Sequence, residues 1–179
     1  MTGNAALIIG QYSTAGIKDK NEDSYGVLIP ESPLLATKGV AMVIADGMSG
    51  SEAGKEASES CVKAFCIDYF STPETWTVKT SGGQVLAALN RWLHGQGQAL
   101  YQSDRGMVST LSALILKSAT AYLFHVGDTR ICRLRKGAFE PPTQDHRVIV
   151  SPEKTFLGRA MGINLNMEAD FRSVAVEDG

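Results

Sequence analysis

Apolar residues follow two alternating rhythms along this chain. The run Val40-Ala41-Met42-Val43-Ile44-Ala45 is unbroken and ends at once in Asp46-Gly47. It reads as a strand buried on both faces, with a glycine that lets the chain turn where the strand stops. Residues 5–11 are a shorter apolar run that predicts a first strand, and residues 24–29 predict a second. The loop over 30–38 is short enough for 24–29 and 38–45 to pair as antiparallel neighbours. The start of one would then lie beside the end of the other, bringing Glu22 and Asp23 to Asp46.

Past Gly50 the period becomes helical. Cys61, Val62, Phe65, Cys66 and Tyr69 share one face, and Ser49 with Glu52 fits a capping box. A linker over 71–80 precedes a second capping box, Ser81 with Gln84. The stripe Val85, Leu86, Leu89, Trp92 and Leu93 follows; Gly95 and Gly97 weaken that helix, which resumes over 99–101. His94 lies beside the stripe and reads as surface or partly packed. The strand rhythm returns over 110–116 and 121–126, joined by a hairpin at 117–120, and again over 131–134. His125 alternates with core residues and reads as structural. Residues 156–161 predict a short helical or irregular piece.

The last strand pattern, 171–176, runs into Glu177-Asp178-Gly179. Asp-Gly after such a run is a hairpin signal, yet no returning strand follows. An open antiparallel edge exposes unpaired backbone groups. The chain is therefore expected to be a fragment, or to have the gap covered by a partner.

Composition narrows the class. At 179 residues and 44% hydrophobic content the chain predicts one globular domain with a real core. A net charge of −2 and a pI near 5.9 give no support for a nucleic-acid or anionic-membrane surface. The start of the chain lacks a basic signal-peptide region, and no apolar run approaches membrane-spanning length. Three cysteines, Cys61, Cys66 and Cys132, read as reduced packing residues of a cytoplasmic protein; none has the spacing of a zinc site.

Asp46 at the mouth of a buried strand is where a hard cation such as Mg²⁺ or Mn²⁺ finds oxygen ligands. Asp-Gly also makes ordinary hairpin turns. Glu22 and Asp23 at a strand start suit a solvated edge, or metal ligation if their strand borders Asp46. Met48-Ser49-Gly50 is a compact connection with backbone amides free for anions or water. Arg130, Arg133, Arg135 and Lys136 could attract a phosphorylated partner, although such charges more usually line a solvated sheet edge.

Four separated motifs agree in order and approximate spacing. They are Gly16-Ile17-Lys18-Asp19-Lys20-Asn21-Glu22-Asp23-Ser24, Ile44-Ala45-Asp46-Gly47-Met48-Ser49-Gly50, Ser109-Thr110 and Val126-Gly127-Asp128-Thr129-Arg130. Together they resemble the metal-dependent protein serine/threonine phosphatases of type 2C. Thr143-Gln144-Asp145-His146 and Leu157-Gly158-Arg159-Ala160-Met161-Gly162 resemble later family segments. The chain looks most like the bacterial branch, since Met48 stands where many eukaryotic members place a histidine.

The resemblance implies an α+β fold, a four-layer α-β-β-α sandwich of two antiparallel sheets flanked by helices and incomplete at its C-terminal side. It implies that Asp46 bridges two Mn²⁺ or Mg²⁺ ions and that Gly47 offers its carbonyl. Glu22 would bind the second ion, with Asp23 acting directly or through water. Asp128 matches a carboxylate that helps hold a weaker third metal in bacterial relatives. Lys18 takes the phosphate-binding place. The ions would lower the pKa of a shared water for in-line attack on phosphorus, so no nucleophilic Ser or Cys is required.

Two departures from the family pattern matter. Lys18 stands where an arginine is common, and lysine lacks the planar two-pronged grip on phosphate. Met48 cannot act as a general acid, which leaves protonation of the leaving group to a metal-bound water. In addition, the family's two later Asp ligands lie beyond residue 179. The resemblance therefore implies the N-terminal two-thirds of a phosphatase domain, with weak metal binding and little activity by itself. Its partner would be a phosphorylated protein substrate, with a separate or covalently linked signalling partner as a further expectation. Two other readings stand beside this one: a non-catalytic module docking phosphorylated partners through Arg133 and Arg135, and a fragment of a longer bifunctional chain.

Overall fold

A computed structural model describes residues 7–151 and 154–176. The elements in order are β1 (Asp23–Leu28), α1 (Leu34–Lys38), β2 (Val40–Asp46), α2 (Gly54–Ser71), α3 (Val78–Tyr101), β3 (Leu111–Lys117), β4 (Thr120–Val126), β5 (Arg133–Arg135), β6 (Ala138–Glu140), β7 (Arg147–Ser151), β8 (Lys154–Leu157) and β9 (Asp170–Ala175). Five strands form one antiparallel sheet in the order β1-β2-β3-β4-β9. The β5–β6 and β7–β8 pairs are separate two-stranded ribbons.

Alternation along the strands sends Ala41, Val43, Ala45, Leu111, Ala113, Ile115, Phe124 and Val126 into the core shared with the two long helices. Phe65 of α2 stacks on Tyr69 at 5.9 Å and leans on Phe124 at 6.1 Å. Two glycines permit this close approach. A β-carbon added at Gly26 would lie 2.7 Å from Val62 Cγ1, and one at Gly82 would strike the Phe124 ring. Helix α2 thus rides close over β1 and α3 over β4.

The opposite sheet face borders a groove of about 760 Å³ with Leu116, Leu123 and Val174 on its floor and Leu134 and Phe139 of the β5–β6 ribbon on its wall. The described residues supply a helical layer and a five-stranded antiparallel sheet, with a ribbon on the far side. The chain has antiparallel sheets with flanking helices, as expected, and the hairpin signal at Asp178-Gly179 lies outside the described residues.

Several local expectations are corrected. Residues 7–11 form no strand, and the rest of that predicted strand lies outside the described residues. Neither capping box forms. Helix α2 begins at Gly54 behind Ala53 without a side-chain cap, whereas the Thr77 hydroxyl caps α3 by accepting from the Thr80 N–H. Ser81 is instead buried inside α3, where its hydroxyl accepts from the ammonium of the buried Lys38 at 3.1 Å. Helix α3 runs unbroken to Tyr101 despite Gly95 and Gly97, and at Gly97 the backbone of Gly106 packs close against it. Trp92 points half into solvent. Of the piece expected to be helical or irregular over 156–161, residues 156 and 157 belong to strand β8 and 158–161 are irregular.

Candidate functional site

The site is built at one end of the sheet by strand register. Antiparallel pairing sets Asp23 of β1 directly across from Asp46 of β2. Cross-strand neighbours on the same face come within about 5 Å of one another, so two acids there must repel, share a proton or share a cation. Burial and the Asp23 carboxyl, which also hydrogen-bonds to it, push Asp46 up to about 6; Asp128 adds to the rise and Lys18 opposes it.

The backbone around Asp46 is held from the next strand. Its N–H donates to the Thr110 hydroxyl at 2.9 Å, and its carbonyl accepts from the Thr110 N–H at 2.9 Å and the Ser109 hydroxyl at 3.0 Å. Gly47 donates to the Glu22 carbonyl at 3.1 Å. A side chain at Gly47 would collide with the Gly54 carbonyl at the start of α2, so only glycine lets the strand end pass under that helix.

Glu22 and Lys18 approach from the preceding loop. The Lys18 ammonium donates to the Ser49 hydroxyl at 3.2 Å, and that hydroxyl donates to Glu22 Oε2 at 3.3 Å. The main chain of this corner is pinned to α2 by a relay. Lys55 Nζ donates to the Ser24 hydroxyl, Ser24 meets Ser58 at 2.9 Å, and Ser58 donates to the Glu22 carbonyl at 2.5 Å.

Asp128 enters on the turn after β4. Gly127 holds this turn at φ 111°, and a β-carbon there would strike Thr110. His146 clamps the same glycine from both sides: its own N–H donates to the Gly127 carbonyl at 2.7 Å, and its Nδ1 accepts from the Gly127 N–H at 3.1 Å. Accepting at Nδ1 leaves the ring proton on Nε2, which faces Asp170 Oδ2 at 3.2 Å. Arg147 then reaches back to Asp128 Oδ2, with Nη2 at 2.7 Å and Nε at 3.0 Å.

The structure thus brings Lys18, Glu22, Asp23, Asp46, Gly47 and Asp128 to one end of the sheet. Lys18 apart, their ligand atoms are all oxygen, the chemistry of a Mg²⁺ or Mn²⁺ site. Asp46, raised by burial and by the facing Asp23, is a site where a cation would offset both the lost hydration and the repulsion. Among the described residues, no group of three or more His, Cys, Asp or Glu side chains forms a cluster able to hold a metal ion. The donor set fits in kind and is partial in number.

Sequence reading missed Arg147, the Ser58 relay and the His146 clamp. These partners lie many residues from what they hold, and no local pattern announces them. His125 is buried, as expected of a structural residue, between Ser112 at 2.9 Å and the Gln144 carbonyl at 3.0 Å. Burial, then the neighbouring His146, lowers its pKa. His94 is half-buried against the Gly162 carbonyl at 3.1 Å.

This fold, with acids gathered at the strand ends, places the chain in a known class. A family model described as Protein phosphatase 2C matches residues 18–171, and the chain belongs to that family. Its relatives include protein phosphatase PhpP of Streptococcus pneumoniae serotype 2, 27% identical over 155 residues, covering 77% of this chain and 62% of the relative. Among solved structures, serine/threonine phosphatase Stp1 from Staphylococcus aureus shares the fold with TM-score 0.75 at 19% identity, over 91% of this chain and 68% of that one. The catalytic domain of the phosphatase PstP, solved in complex with two manganese ions, aligns with TM-score 0.71 at 23% identity, over 91% of this chain and 69% of that one. The chain therefore spans less than two-thirds of the length of PhpP and 68–69% of the two solved structures. No helix among the described residues is long and apolar enough to cross a membrane.

Proposed function

We propose that this chain carries the phosphate-facing part of a metal-dependent phosphatase that hydrolyses phosphoserine and phosphothreonine in proteins. The observation that carries the reading is the register that sets Asp23 across from Asp46, with Glu22 and Lys18 one short loop away. In this reading Asp46, the Gly47 carbonyl and Glu22 would hold Mn²⁺ or Mg²⁺, with Asp23 acting directly or through water. Asp128 would help hold a further, weaker ion. Bound there, the ions supply Lewis-acid activation of water and charge neutralisation at the phosphoryl group.

The chain's own residues position the reaction. Lys18 offers a single cationic contact to a phosphoryl oxygen and is steered by Ser49. Thr110 and Ser109 hold the Asp46 main chain, so its carboxylate is aimed before any ligand arrives. Met48 has no proton to give, and the side chains named here offer no dedicated acid for the leaving group. The phosphorylated protein is the expected substrate, with a signalling role in the cell. The expected compartment is the cytoplasm, in keeping with unpaired Cys61, Cys66 and Cys132.

The partial donor set favours a second reading, a non-catalytic module of the same fold. The basic strand is a poor docking surface for it, because Arg133 is already engaged by Glu140. Titration calorimetry with Mn²⁺ and a p-nitrophenyl phosphate assay decide between them. They should be run on this chain and on one extended to the length of its relatives. The enzyme reading expects weak binding and little turnover here, and Mn²⁺-dependent turnover in the extended chain that Asp46→Asn abolishes. An extended chain that binds phosphopeptide without hydrolysing it overturns the enzyme reading.

A further inference from the structure

We propose that Arg147 is the resident counter-ion of Asp128, a built-in cation that a metal ion must displace to reach this carboxylate. The inference rests on reading Asp128 as a cation-facing group, as above. Both Nη2 and Nε of Arg147 converge on one oxygen, Oδ2, at 2.7 and 3.0 Å. Asp128 is largely shielded, its side chain 21% exposed, whereas the Arg147 side chain is 53% exposed and free to swing outward.

Two features aim the guanidinium there. The first is the His146 clamp on Gly127, which ties the loop delivering Arg147 to the turn that presents Asp128. The second is charge saturation nearby. Asp145 stands 3.9 Å from Arg147 Nε, but Arg130 already grips it on both oxygens, at 2.7 and 2.6 Å. Arg130, Asp145, Arg147 and Asp128 thus alternate in sign, and the series ends at Asp128, whose charge is felt at Asp46.

A divalent cation approaching Asp128 meets a positive charge already on its ligand oxygen. Among the described residues no arginine or lysine forms a salt bridge with the Asp23 or Asp46 carboxylate, which face each other across β1 and β2, so ions load there first and at Asp128 last. Arg147 sets that order without touching the first position.

Mn²⁺ alone is the probe, with calorimetry for affinity and electron paramagnetic resonance for bound ions, at low ionic strength on the full chain. Arg147→Ala is expected to tighten the weakest Mn²⁺ step by about tenfold, the size of the repulsion between a unit and a double charge ~5 Å apart in a water-like dielectric. Arg147→Gln, closer in length, gives the same gain and guards against loss of folding in the alanine variant. Arg147→Lys keeps the charge and stays near wild type. In an Asp128→Asn background the gain disappears. If Arg147→Ala and Arg147→Gln leave the isotherm unchanged while Asp46→Asn removes Mn²⁺ binding, the counter-ion role is wrong and the phosphatase reading stands. A gain that persists without the Asp128 carboxylate also overturns it. If Asp46→Asn leaves Mn²⁺ binding intact, the metal reading fails and this inference with it.

Discussion

The carboxylate pair at the sheet end makes a stability prediction whose sign runs against the usual behaviour of acids. Asp46 is driven from 3.8 to about 6, by burial first and by Asp23 second. Its folded pKa lies above its unfolded one, so between these values the folded chain holds the extra proton. Stability from this group is highest below the unfolded pKa and falls as pH rises through about 4 to 6. The shift corresponds to roughly 3 kcal/mol at most, and solvent screening at this partly exposed position cuts it to about 1–2 kcal/mol, belonging to the Asp23–Asp46 pair jointly and present at neutral pH without metal. Asp46→Asn removes one charge and gives Asp23 an amide donor. In EDTA at pH 7.5 it should raise stability by about 1–2 kcal/mol, or Tm by roughly 2–8 °C for a chain of this size. The gain should vanish near pH 4. Differential scanning calorimetry from pH 4 to 8, with EDTA and then with excess Mn²⁺, reads all of this. Mn²⁺ should stabilise the wild type and leave the variant unmoved, since an ion stabilises only the state that binds it. A variant less stable than wild type at pH 7.5 in EDTA would refute the repulsion argument. Mn²⁺ stabilisation of that variant would refute the ligand role.

Three further outcomes follow from the packing. Gly82→Ala places a methyl 2.6 and 2.8 Å from Cε2 and Cε1 of Phe124, and should cost about 1–3 kcal/mol in urea unfolding despite alanine's better helix propensity. Thr110→Val leaves the Asp46 N–H without its acceptor and should cost about 1–3 kcal/mol, with Mn²⁺ affinity falling as the Asp46 main chain loosens. Among the thiols, exposed Cys132 should react quickly with a disulfide reagent. Burial pushes Cys61 up to about 12 and Cys66 up to about 11, so both should react only on unfolding.

Much of the fold is legible one residue at a time. The apolar run into Asp46-Gly47 predicts β2, the stripe from Cys61 to Tyr69 predicts the buried face of α2, and period-2 alternation predicts β3 and β4. Each depends on a local period, which the backbone geometry of strand or helix imposes. Helix starts were less legible. Ser49 and Ser81 carry the right spacing for caps, but Ser49 is drawn to Lys18 and Glu22, and Ser81 to the buried Lys38. Distant partners outcompeted the local motif.

The order of the motifs along the chain was enough to indicate the family and to nominate Glu22, Asp23, Asp46 and Asp128, because ligand chemistry restricts which residue types can stand there. Tertiary structure alone decided how those acids are charged and held. Asp23 raises Asp46 only because β1 and β2 pair in one register, and a one-residue slip would turn the side chains to opposite faces. Arg147 meets Asp128 only because His146 ties its loop to Gly127 across 19 residues of sequence. Coulomb energies depend on distance through space, and the linear chain records no such distance until it has folded.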